Sequence, residues 1–450
     1  MRYLLGLFLA TAALAQPRPN VIFVLVDDMG YADTTPYGNP YNKTPNVERM
    51  AREGMRFTQA YAAAPNCSPT RASILTGHWP ARTGVTQYLP GNDFPWAKLL
   101  QAELPEGLPL DETILAQPLG RAGYATASVG KWHLGGGEYL PENRGFDLNF
   151  AGGPWGSHNS MFAPYKGEPI LAGPPGEYLT DRLAAFSESF IQANRDQPFF
   201  LYLPLYSVHG PVEAKQSRID GFAGKPDPTG GHDPTYAAMV EGVDWIVGRL
   251  MDKLEELNLT ERTAIFFFSD NGGTKRADNR PLRSVKGWLY EGGVREPLIV
   301  RWPGTIPAGR VDETPVTSID FYPTILSMTG VADAAGHVSD GVDLMPLLRG
   351  EGRPAPRTLY WHYPHYSNAG SPPSGALREG DLKLIEWFED DRVELFDLAA
   401  DVSEQKDLAQ ERPAEARRLL EKLRAWRKSV GAKPALPNPN YDPAKVKRRK

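Results

Sequence analysis

The stretch NVIFVLVDDMG, residues 20–30, decides the fold. Val21 to Val26 are apolar without a break, and Asp27 and Asp28 follow at once. A short apolar run closed by turn residues reads as a strand buried on both faces, the kind a parallel sheet contains. Three further runs repeat the design. YATASVGKWHLG ends on Lys131 and His133, PFFLYLPLYSVHGP ends near His209, and TAIFFFSDNGG ends on Asp270 and Asn271. Helical patterns lie between them. DETILAQPLGRAG opens on a cap-like Asp111 and stops at Gly123, with Pro118 as a kink. TYAAMVEGVDWIVGRLMDKLEEL carries Met239, Val243, Ile246, Val247, Leu250 and Leu254 on one stripe. This alternation predicts an α/β fold, a large and mostly parallel sheet with helices on both faces. Such sheets bind ligands beyond the carboxyl ends of their strands. All four runs hold their polar residues at that end.

The acids among them offer oxygen alone. Adjacent carboxylates repel unless a cation lies between them. Asp27, Asp28, Asp270 and Asn271 therefore suit Ca²⁺, with Mg²⁺ as the alternative, rather than zinc. Either pair alone also fits a loop cap or an Asn-Gly turn; it is their shared place after buried strands that favours a metal. Lys131, His133, His209 and Lys286 are candidates for proton transfer and for holding an anion. Cations gathered around a metal imply a ligand of high negative charge.

CSPTRASILTG, residues 67–77, holds the only cysteine of 450 residues. Ser68 and Pro69 are a cap and a first helical residue, and Gly77 is a stop. Cys67 thus falls at a helix N-terminus, where backbone N–H groups favour an anion. Arg71 lies one turn inside and offers a planar grip on an oxyanion. A small buried hydrophobe is the plainer role for a free cysteine, but these neighbours point to a functional one.

The rest of the chain sets limits. Net charge is −5, which gives no general pull toward nucleic acid. MRYLLGLFLATAALA has a positive start, a short apolar run and an Ala-Leu-Ala end, which predicts a signal peptide over residues 1–15 and a periplasmic or secreted protein. A buried N-terminal helix is the other reading. No later apolar run is long enough to span a membrane. Residues 16–350 are expected to form the catalytic domain. Residues 351–450 are expected to form a smaller α+β subdomain with an antiparallel sheet, an amphipathic helix bearing Leu419, Leu420, Leu423 and Trp426, and a basic tail.

At this point the residues resemble a known family, the type I sulfatases of the alkaline-phosphatase superfamily. CSPTRASILTG is similar to the signature that directs oxidation of its cysteine to formylglycine. DDMGYAD (27–33), GKWHLG (130–135), VHGP (208–211), SDNGG (269–273) and KGWLYEGGVREPLIVRWPG (286–304) follow the family order, and ELFDLAADVSEQKDLA (394–409) resembles its C-terminal subdomain. The resemblance implies sulfate-ester hydrolysis after a formylglycine-generating enzyme has converted Cys67. It implies that Asp27, Asp28, Asp270, Asn271 and the modified Cys67 bind Ca²⁺. Arg71 and Lys131 would hold the aldehyde hydrate, and His133 would take a proton from it. His209 and Lys286 would grip the sulfate, and Ser157 would contact it. Sulfated small molecules or saccharides would be the substrates. His158, His362 and His365, with Trp155, Trp361 and Tyr366, are candidates for an aromatic rim that takes a sugar face; core packing is the alternative for the Trp and Tyr residues. The rival activity is phosphomonoester or phosphodiester hydrolysis on the same metal site. The rival class is a non-catalytic binder with an unmodified Cys67.

Overall fold

The computed structural model describes residues 18–165 and 173–443. The leader read in residues 1–15 and the KVKRRK tail lie outside the described residues.

A nine-stranded sheet forms the larger part. Across it the strands run Val316–Thr317, Met55–Tyr61, Arg295–Arg301, Thr263–Ser269, Asn20–Val26, Phe199–Pro204, Ala125–Val129 and Leu148–Phe150, and Arg310–Asp312 also pairs with Met55–Tyr61. Asn20–Val26 is parallel to both neighbours. Arg295–Arg301 is the antiparallel member, set between Met55–Tyr61 and Thr263–Ser269. The uninterrupted apolar run of Asn20–Val26 is explained by two cores. Ile22, Val24 and Val26 pack under the helices Leu179–Ala193 and Pro234–Glu256. Val21, Phe23 and Leu25 pack on the other face, with Ile74 and Leu75 of helix Cys67–Thr76 and Ile325 of helix Phe321–Thr329. With both faces covered, polar residues are excluded until the strand ends.

Two local expectations are corrected. The helix expected over residues 111–123 is only Ala116–Arg121. Pro118 falls in its first turn, where an N–H has no intrahelical acceptor to lose, so it causes no kink. The helix after strand Met55–Tyr61 begins at Cys67, with Asn66 in the cap position. Ser68 therefore does not cap; its Oγ donates to His133 O at 2.7 Å and accepts from Leu89 N at 3.0 Å.

A four-stranded antiparallel sheet follows, in the order Thr358–Tyr363, Ser374–Glu379, Leu382–Trp387, Val393–Asp397. One face packs under helix Pro413–Ser429 through Leu419 and Leu423. The other shares a core with the larger part, joining Trp361, Tyr363 and Trp387 to Tyr61, Leu289 and Val294. A fully buried ion cluster fastens the same seam: Lys383 Nζ lies 2.8 Å from Glu291 and 3.0 Å from Glu404. Among the described residues no helix is long and apolar enough to cross a membrane.

Candidate active site

The parallel register Val26↔Ser269 sets the ends of two central strands side by side. Asp27 and Asp28 leave one, and Asp270 and Asn271 leave the other. Lys131 and His133 follow strand Ala125–Val129, and His209 follows Phe199–Pro204. Helix Cys67–Thr76 brings Cys67 and Arg71 to the same edge. Asp28 and His133 both have left-handed backbone, with φ of 63° and 61°. That region is sparsely used by non-glycine residues and clusters at functional sites.

Ligand atoms of Asp27, Asp28, Cys67 and Asp270 all lie within 4.8 Å of one another. Asn271 Nδ2 donates to Asp28 Oδ1 at 2.8 Å, while its buried Oδ1 has no partner among the described residues. Three carboxylates and an unmatched amide oxygen form a hard, all-oxygen set that fits Ca²⁺. The carboxylates already feel their crowding. Burial and the charge of Asp27 push Asp270 up, against the pull of Arg71. Burial also opposes ionisation of Asp27, yet Lys131, His209, Arg71 and Lys286 hold it well below the usual carboxylate range.

The cations surround this set. Arg71 donates from Nε and Nη2 to Asp270 Oδ2 at 2.9 and 2.7 Å, and from Nη1 to Lys131 O at 2.6 Å. Lys131 Nζ donates to Asp27 Oδ2 at 2.7 Å. Lys286 Nζ donates to Asp28 and lies 3.2 Å from Cys67 Sγ. His209 Nε2 stands 3.7 Å from Asp28 Oδ2. His133 Nε2 bonds Leu89 O at 2.7 Å, which makes it the protonated nitrogen, and Nδ1 has no partner among the described residues. Burial, Lys131 and Arg71 hold that ring neutral, so Nδ1 can accept a proton. Burial pushes Cys67 up to about 12, although Lys131 and Lys286 pull the other way, so desolvation outweighs the two lysines.

A cavity of about 690 Å³ opens above Cys67 and is lined also by His133, Ser157, His209 and Lys286. Gly156 lets its loop cross the His133 ring: a Cβ there would lie 2.6 Å from Cε1. The expected aromatic rim is not brought here. His158 is buried against Tyr206, 4.2 Å between ring centres. Trp361 is in the shared core with its indole N–H on Ala62 O. His362 is buried on the opposite face of its strand, bonded to Lys433 O at 2.8 Å. His365 bonds Thr86 Oγ1 at 2.8 Å and borders a second cavity of about 500 Å³. Walls that the sequence reading missed come from Tyr88, Leu89 and Pro90 and from Ser367, Asn368 and Ala369. Their only sequence signal is position, beside Pro and Gly turns that carry no chemistry.

Comparison with known proteins gives a consistent picture. A family model described as Sulfatase matches residues 19–331, and one described as N-sulphoglucosamine sulphohydrolase, C-terminal, matches residues 285–429. N-acetylgalactosamine-6-sulfatase of Canis lupus familiaris is 34% identical over 384 residues, covering 79% of this chain and 70% of that protein. Arylsulfatase A of Homo sapiens is 36% identical over 400 residues, covering 81% and 74%. The crystal structure of Ps i-CgsB in complex with k-i-k-neocarrahexaose matches with a TM-score of 0.78 at 28% identity, over 95% of this chain and 96% of that one.

Proposed function

The chain belongs to the type I sulfatases of the alkaline-phosphatase superfamily and is a sulfuric ester hydrolase; from that premise we propose that it desulfates a carbohydrate, using a formylglycine made from Cys67 and a bound Ca²⁺. One observation carries the reading: Cys67 lies at the floor of a cavity, within 4.8 Å of three carboxylate ligands and 3.2 Å from Lys286. The carbohydrate class is supported by the N-acetylgalactosamine-6-sulfatase relative and by the oligosaccharide bound to a structural neighbour.

Asp27, Asp28, Asp270 and Asn271 would hold the metal. When present, Ca²⁺ supplies positive charge to the sulfate oxygens, and the hydrated aldehyde supplies one hydroxyl to attack and a second through which sulfate is released. The chain's own groups do the rest. Arg71 and Lys131 fix Asp270 and Asp27 and keep positive charge beneath residue 67. Lys286, between Asp28 and Cys67, is placed to bind a sulfate oxygen. His209 is on the open side, and burial lowers its pKa, so its protonated form readily gives a proton to the leaving alcohol oxygen as the S–O bond breaks. His133 Nδ1 takes the proton of the remaining hydroxyl as sulfate departs. Fixed donors in a water-poor site typically contribute about 3 kcal/mol each to such a transition state.

The test is turnover by protein co-produced with a formylglycine-generating enzyme. Sulfated mono- and oligosaccharides, an aryl sulfate and phosphate esters are compared, with peptide mass spectrometry at residue 67. Sulfate release should track the aldehyde fraction, vanish on chelation and return with Ca²⁺. Phosphate-ester turnover above sulfate-ester turnover, or full activity from the unmodified thiol, would refute the reading.

A further inference from the structure

We propose that Lys275 binds a second anionic group of the saccharide, a sulfate or a carboxylate, at the rim of the catalytic cavity; this rests on the carbohydrate reading above. Among the described residues no Asp or Glu lines that cavity, and Lys275, Arg276 and Lys286 do. The charges at its floor are matched, Lys286 with Asp28, Lys131 with Asp27 and Arg71 with Asp270. Arg276 is matched too, with Nη1 at 2.6 Å from Asp233 Oδ2. Lys275 is exposed, and among the described residues it forms no ion pair or hydrogen bond. It is a surplus cation beyond those that one sulfate engages. Its field adds to the attraction of an anion entering the mouth.

The backbone beneath Lys275 is held. Lys275 follows Asn271 by four positions on the loop that supplies the metal ligands. Ala277 N donates to Thr274 O at 3.1 Å, which closes a turn with Lys275 in its second place. Gly273 N donates to Asn279 Oδ1, and Asn279 Nδ2 donates back to Gly273 O, each at 3.1 Å. A Cβ on Gly273 would lie 2.2 Å from Ala277 Cβ, so glycine is what lets the loop fold back here.

The neighbouring cavity has the opposite sign. The second cavity meets the first at Pro90, and Asp93 and Glu103 line it, with no Lys or Arg among the described residues. Asn92 Nδ2 donates to Asn368 Oδ1 at 2.8 Å across the divide. The cleft is therefore polarised. An anionic substituent is favoured toward Lys275, and uncharged sugar is favoured toward Asp93 and Glu103. Discrimination comes from the repulsive wall as much as from the attractive one.

The experiment measures kcat/KM on disaccharides with one sulfate and on disaccharides with an added sulfate or uronate carboxylate. Wild type, Lys275→Glu and Lys275→Arg are compared at low and high salt. Wild type should prefer at least one doubly anionic probe by about fivefold, the scale of an exposed ion pair. The preference should reside in KM and shrink as salt rises. Lys275→Glu should abolish it, and Lys275→Arg should keep it. No preference in wild type, or a preference that survives Lys275→Glu, overturns the proposal. If the enzyme turns over phosphate rather than sulfate esters, the carbohydrate-sulfatase reading fails separately. The same ratio on phosphorylated disaccharides then still decides the role of Lys275.

Discussion

Cys67 is 1% exposed, and burial pushes its thiol up to about 12, so at neutral pH it is neither a thiolate nor a nucleophile of any strength. Its Sγ nonetheless sits 3.6 Å from Asp27 Oδ1 and 3.2 Å from Lys286 Nζ, amid charges that a plain hydrophobe would avoid. The conversion proposed above would resolve the mismatch, because its product is an oxygen species that those charges can hold. Cys67→Ala is expected to abolish turnover while costing about 1 kcal/mol of stability, the ordinary price of a small core deletion. Cys67→Ser keeps one hydroxyl and lacks the second, so it should sulfate itself and stall. Peptide mass spectrometry should find the sulfate ester on residue 67 after incubation with substrate. Multiple turnovers by Cys67→Ser would show that one hydroxyl suffices and that the aldehyde is dispensable.

At the scale of elements, strand ends and glycine-rich loops share the work. The strand ends were legible in sequence. Asn20–Val26 and Thr263–Ser269 are apolar on both faces, so the first acids after them had to mark the edge of the sheet. The proposed metal ligands Asp27, Asp28, Asp270 and Asn271, and His133 and His209, follow from that rule, and the structure sets them at one edge of the sheet. The rim does not follow from it. Strand Thr358–Tyr363 is also covered on both faces, by the larger part on one side and by helix Pro413–Ser429 on the other. Its Trp and His residues therefore fill cores, and aromatic content alone could not separate core from rim. Ser367–Ala369 lines the cavity instead, through small residues with no chemical signature. Gly156 is an element-scale test of how close a loop must come. An added Cβ would lie 2.6 Å from His133 Cε1 and 3.0 Å from Nε2, the atom bonded to Leu89 O. Gly156→Ala should lower kcat at least about tenfold, since small misplacements of a catalytic group are costly. Its melting temperature should stay close to that of wild type. An unchanged kcat would mean that the ring position is not critical.

Across the whole molecule, buried imidazoles couple stability to acidity, three of them away from the catalytic charges. Burial lowers His158 and His362 to about 4 and His365 to about 3. In the unfolded chain each returns to its ordinary value of about 6.5. The unfolded state therefore takes up these protons first as pH falls. The stability they confer is complete above pH ~6.5 and is lost progressively down to the folded values. For His365 alone the loss between pH 7 and pH 5 is about 2 kcal/mol. Urea unfolding of His365→Gln, whose amide can still meet Thr86, should show a pH dependence weaker by that amount. An identical slope would mean that His365 is not neutral in the fold.

The buried cluster of Lys383, Glu291 and Glu404 has a further consequence, for heredity rather than for energy. Lys286 and Glu291 share one short stretch of chain, so the joint that carries the small sheet is also the mount of the lysine proposed above to bind a sulfate oxygen. Beyond that joint, Ser367–Ala369 reaches the cavity on a loop between two strands, where Ala369 O accepts from the Trp288 indole N–H at 3.1 Å. The strand ends and this loop are thus separate passages of the sequence, although Lys275 shares the loop of Asp270 and Asn271. A lineage could rewrite the second passage many times, trying one sugar after another, while the joint and the strand ends pass unchanged from copy to copy.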